Sequence, residues 1–174
     1  MDKGILWLIL LLMWLPMKAS GEAPASIILQ ARTIAGQRDE TETDRPKRAT
    51  RTTTTHGTDL EITIGTLGAA PEEVTVRWFW VGRYESSNNY FRSGDGEKAV
   101  TVDPKKAQVV IADGAEIETH YTHSKKGSYK SGGKMVGWVV GAYNGRGELI
   151  ATKASDSYLT GFASKPPPKQ RKAN

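Results

Sequence analysis

Two stretches set what this chain can fold into. "LEITIG" (residues 60–65) alternates Leu60, Ile62 and Ile64 with Glu61 and Thr63. "VTVRWFWVGRY" (residues 74–84) puts Val74, Val76, Trp78 and Trp80 on one side, and Thr75, Arg77, Phe79, Val81 and Arg83 on the other. A period of two sends alternate side chains to opposite faces of a strand. Arg77 and Arg83 turn the second face to solvent, so the Val/Trp face is the expected core face. No run beyond the N-terminus carries the 3.6-residue period of an amphipathic helix. That absence argues against a parallel α/β fold.

The remaining segments follow the same punctuation. "SIILQARTI" (26–34) is a first strand, and the charged, Thr-rich stretch 35–58 reads as a long polar hairpin or loop leading into "LEITIG". "ESSNNYFRSGDGEK" (85–98) reads as a long polar loop, and "AVTVD" and "AQVVIA" as short strands around the turn "PKK". "GAEIETHY" is a further strand, and "THSKKGSYKSGGK" (122–134) a basic Gly/Ser-rich loop. "MVGWVVGAY" and "ELIATKAS" form a hairpin across "NGRG", with Asn144-Gly145 suited to positive φ and Gly147 to a bulge. "DSYLTGFAS" docks along the domain edge. Turn signals every 8–12 residues around about seven strands give an antiparallel immunoglobulin/fibronectin III-like β-sandwich spanning residues 24–163. In that topology residues 74–84, 135–143 and 148–155 are strands C, F and G of one sheet, and Trp78 and Trp138 meet on its inner face. Gly137 and Gly141 leave the outer face of the F strand nearly bare.

The N-terminus carries a targeting signal. "MDK" precedes the 14-residue apolar run "GILWLILLLMWLPM", and small residues follow in "KASGEA". The run is short for a bilayer span of ~30 Å, and Pro16 breaks a helix near its end. Residues 1–21 are therefore expected to be a signal-peptide helix, removed on export to the periplasm or beyond, with no stable membrane span left after cleavage. The chain has no cysteine, which excludes disulfides, thiolate nucleophiles and Cys-based zinc sites. Residues 164–174, "SKPPPKQRKAN", read as a disordered, basic, Pro-rich tail.

Little in the sequence points to catalysis, so the chain is expected not to be an enzyme and to need no cofactor. His120 and His123 stand three apart, on opposite faces of a strand, which does not make a metal pair. No serine sits in a nucleophile elbow, and "KSGGK" lacks the loop length of a phosphate cradle. Two stretches offer binding surfaces. Tyr84, Tyr90 and Phe91 flank Asn88 and Asn89, the flat rings and amides that a sugar needs. His120, Tyr121, His123, Lys125, Lys126, Tyr129, Lys130 and Lys134 cluster with the basic tail and suit a polyanion. The net charge of +5 is moderate, within the ~2–8 usual for small soluble domains.

"VTVRWFWVGR" and "GWVVGAYNGRGELIATKAS" resemble the small, exported, uncharacterised immunoglobulin-like β-sandwich proteins of environmental bacteria, over roughly residues 58–160. That resemblance implies a sandwich fold and no particular activity, cofactor or catalytic residue. The expectation is an exported, non-catalytic module acting through an unknown protein or cell-envelope partner. The alternative is a module that binds polysaccharide or another polyanion; a hydrolase is the third reading.

Overall fold

The computed structural model describes residues 27–44, 49–115, 117–125 and 127–170. The expected signal segment, residues 1–21, lies outside them. Eight antiparallel strands are present among the described residues: β1 (Ile27–Asp44), β2 (Ala49–Thr66), β3 (Glu72–Tyr84), β4 (Tyr90–Val102), β5 (Gln108–Ala112), β6 (Ile117–Ser124), β7 (Gly127–Tyr143) and β8 (Leu149–Ala154). A short 3₁₀ helix, Ser157–Ala163, follows. The strands form two sheets, an all-β sandwich. The first sheet holds β1, β2, β5, β6 and the start of β7; the second holds β3, β4, the rest of β7, and β8.

The core lies where the two alternating patterns meet. Leu60, Ile62 and Ile64 of β2 face Val74, Val76 and Trp80 of β3, with Trp138, Val140 and Ala142 of β7 completing one buried cluster. Each fully buried side chain of this size contributes about 1.5–3 kcal/mol. The expected Trp78–Trp138 pairing is shifted by one pair. Trp138 stands opposite Trp80, and Trp78 stands opposite Val140. Both Trp78 and Trp138 belong to the same cluster, Trp78 only partly buried.

The outer face of β3 departs from the expected solvent face. Phe79 and Val81 are buried there with Val139, Leu159 and Ala163 in a second cluster. The 3₁₀ helix supplies the cover, capped by the Asp156 side chain, which accepts from the Tyr158 N–H. It packs where β7 is bare: a Cβ on Gly137 would run into Ser155 and Leu159. Ser155 ties the segment down, since its Oγ accepts from the Trp138 N–H at 3.1 Å and its own N–H donates to the Trp138 carbonyl. The glycine face is thus filled from within the chain.

Three further expectations change. Residues 90–98, read as loop, belong to β4; its polar sequence pairs with β3, and Gly96 leaves room for the Trp78 indole. Residues 122–134, also read as loop, are the hairpin of β6 and β7. There the ladder with β2 supplies what apolar residues do not. The tail from Ser164, expected to be disordered, runs along β4 as far as Gln170: the Arg92 N–H donates to the Pro168 carbonyl, and the Gln170 N–H to the Arg92 carbonyl.

β7 changes sheets midway. Residues 127–132 pair with β6, and residues 133–143 pair with β3. Gly132, at φ 92°, makes the bend, a conformation that disfavours any side chain. The Phe91 ring lies where Cβ atoms of Gly82 and Gly133 would be, and Ile117 borders the same space. Replacing Phe91 with alanine empties this junction. The expected loss is about 3–5 kcal/mol, read as a lower urea midpoint with unchanged slope.

Candidate functional site

The aromatic set does not form one platform. Neighbours on a strand point to opposite faces, and Tyr90 and Phe91 do so. Phe91 is fully buried, with the Tyr84 ring tilted against it at 4.5 Å. Tyr90 turns to the other side and meets Phe162 edge-on at 5.4 Å. Phe91 is therefore unavailable to a ligand, and no coplanar exposed trio exists. The amides stay near Tyr84: Asn88 lines a small cleft of about 290 Å³ with Arg83, Tyr84, Glu85 and Lys134.

The basic set is divided by the same rule. Tyr121 stands opposite Lys130, while Tyr129 stands opposite Thr122 and His120 opposite Ser131. Tyr121 and Lys130 thus share one face of the hairpin, and His120 and Tyr129 the other. Two of the set already have carboxylate neighbours. Lys130 Nζ lies 2.7 Å from Glu85 Oε1, and His120 Nε2 lies 3.3 Å from Glu118 Oε2. His123 shares a hydrogen bond with Ser128 Oγ at 2.7 Å. Lys125 is exposed at the turn; Lys126 lies outside the described residues. One link joins the two sets: besides the ion pair, the Glu85 N–H donates to the Gly132 carbonyl.

A larger groove lies on the outer face of the second sheet. It encloses about 710 Å³ between β3, β4, the β7–β8 turn and the segment after the 3₁₀ helix. This is within the ~300–1,000 Å³ of ordinary ligand sites. Arg77 and Tyr143 form its floor, the guanidinium carbon 4.7 Å from the ring centre. The Tyr143 hydroxyl donates to the Ala163 carbonyl at 2.8 Å, fixing floor to wall.

The charges in this groove are unevenly matched. Glu97 takes a hydrogen bond from Arg77 at 3.1 Å, and Asp95 pairs with Lys169 of the tail at 3.0 Å. Arg92 lines the same groove. Its Nε is shielded from solvent and has no hydrogen-bond partner. A buried donor left unpaired costs about 1–3 kcal/mol, more when charged.

Sequence reasoning missed Arg92 because it falls in the stretch read as loop. Arg77 was placed on the correct face, as a residue that turns that face to solvent. Neither residue carries a motif; only the cross-strand pairing brings them together.

No family model and no curated protein matches the chain. Among solved structures, the X-ray structure of Northeast Structural Genomics Consortium target SoR45 is similar at 17% identity, over 64% of this chain and 84% of that one, with a TM-score of 0.33. A crystal structure from Akkermansia muciniphila is similar at 9% identity, over 82% of this chain and 78% of that one, with a TM-score of 0.35.

The Glu85–Lys130 contact has a pH signature. The hydrogen bond from Lys130 holds the Glu85 carboxyl below its ordinary value. A lowered folded-state value stabilises fully above the ordinary carboxylate range, and the gain is lost as pH falls through the lower value. Urea midpoints measured across the acid range should fall less steeply in Glu85→Gln than in the parent. The difference should be small, because Lys130 is half exposed.

Proposed function

We propose that the chain is an exported, non-catalytic, immunoglobulin-like β-sandwich module that works by contact with the cell surface or another protein. The immunoglobulin type is supported by the placing of β7 between β3 and β8, as strand F lies between C and G in that fold. The binding role rests on one observation: Arg92, which has no ion pair among the described residues, lines a ligand-sized groove whose two carboxylates are already paired.

The chemistry of the groove favours an acidic sugar. Arg92 offers a guanidinium to a carboxylate, the strongest kind of protein hydrogen bond. Asp95 and Glu97 can accept from hydroxyls with their remaining lone pairs. The Phe79, Trp78, Leu149 and Pro166 side of the groove gives a ring face apolar surface. This retains the polysaccharide reading of the sequence but moves the site from the loop aromatics and basic hairpin to the outer face of the second sheet.

Calorimetric titration with oligogalacturonate and with a neutral cello-oligosaccharide tests the proposal. The acidic oligomer should bind saturably and the neutral one should not. Arg92→Gln should weaken binding roughly ten- to hundred-fold, the worth of a charged hydrogen bond, while Lys125→Gln should leave it unchanged. Equal binding by parent and Arg92→Gln, or no binding of the acidic oligomer, overturns this site.

A further inference from the structure

β5 is an open edge. It pairs with β2 on one side, and no strand among the described residues pairs with the other. None of its backbone groups makes a further backbone hydrogen bond outside that ladder. Edge strands are usually blunted by charge, proline or a bulge. "QVVIA" has none of these. Its two outward side chains, Val109 and Ile111, are 55% and 53% exposed. Such a strand is a template for pairing, and the question is with what.

The flanks point to a second copy. Asp103, Lys105 and Lys106 precede the strand, net positive, and Asp113 follows it, all four exposed and in no ion pair among the described residues. The strand is therefore positive at its start and negative at its end. An antiparallel partner of the same sequence reverses that order and brings opposite charges together. A two-fold contact requires this kind of self-complementarity.

We propose that β5 pairs antiparallel with β5 of a second copy, about a two-fold axis at Val110, extending the first sheet across both chains. This register keeps all five residues of the strand paired. It sets Val109 opposite Ile111 of the second copy, twice, so the two exposed apolar side chains cover each other. By the alternation of faces it is Lys105 that shares the face of Asp113 of the other copy, diagonal to it across the pair, at both ends. The inward side chains, Val110 and Ala112, stay in the core of their own chain.

Sedimentation equilibrium of the chain without its signal segment, over a concentration series, tests this. A reversible dimer is expected. Ile111→Lys should weaken it on the order of ten-fold or more while leaving the fold intact, since position 111 faces solvent beside Glu61. Circular dichroism checks that the variant is folded. Lys105→Glu should also weaken the dimer, and Lys105→Glu with Asp113→Lys should restore it. A chain that stays monomeric at every concentration overturns the proposal, including the case where β5 takes an extended peptide from another protein. A dimer unaffected by Ile111→Lys overturns it too. A charge swap that fails to restore the dimer overturns the register centred on Val110. None of these changes touches the groove of Arg92, so oligogalacturonate titration of the same variants reads that site separately.

Discussion

The sandwich depends on the crossing of β7 from one sheet to the other. Two sheets joined only by loops can slide; a strand shared between them fixes their relation. The crossing needs a backbone bend at Gly132 and a close approach at Gly133, and neither position tolerates a Cβ. Phe91 then takes the volume that Gly82 and Gly133 leave empty. The aromatic ring and the glycines are one device: the glycines let the backbone turn, and the ring restores the burial they forfeit. Loss of either half leaves the other as a defect.

From that junction the outer face of the second sheet follows. β7 continues with Gly137 and Gly141, which on their own would expose backbone. The 3₁₀ helix covers Gly137 with Leu159, and Tyr143 and Leu149 close over Gly141. Covering stops short of Arg77, and the gap between the helix segment, the β7–β8 turn and β4 becomes the groove. The tail completes a wall by pairing with β4 at Arg92. The groove is thus the remainder of an incomplete packing layer, which is why its floor is partly aromatic and its rim charged.

The period-two signal was legible wherever one face was fully buried. Leu60, Ile62, Ile64, Val74, Val76 and Trp80 were placed in the core from spacing alone, and the "NGRG" segment does turn, but with positive φ at Gly147 and not at Asn144-Gly145, and with Asn144 Oδ1 accepting from the N–H groups of Arg146 and Glu148. The signal failed where a strand lacks a buried face. β4 and the β6–β7 hairpin are polar and Gly-rich, and they are strands because neighbours hold their backbones, not because their side chains demand it. The outer face of β3 was misjudged for a related reason. Arg77 and Arg83 do face solvent, but Phe79 and Val81 between them are buried by a segment 80 residues further on, and no local pattern announces a distant cover.

That same limit explains why the aromatic and basic sets read from the sequence do not each gather on one surface. Composition draws the eye to runs such as "HYTHSKK", where like residues are adjacent in sequence. In a strand, adjacency separates side chains to opposite faces, and cross-strand register brings together residues far apart. Tyr121 and His120 part company, whereas Arg77, Arg92 and Tyr143, drawn from three strands, converge. In an all-β chain, then, a site is best sought among residues that pair across strands and remain unmatched in charge. Arg92 meets that condition, with no carboxylate paired to it among the described residues, whereas Lys130, despite its basic surroundings, has already found its carboxylate in Glu85.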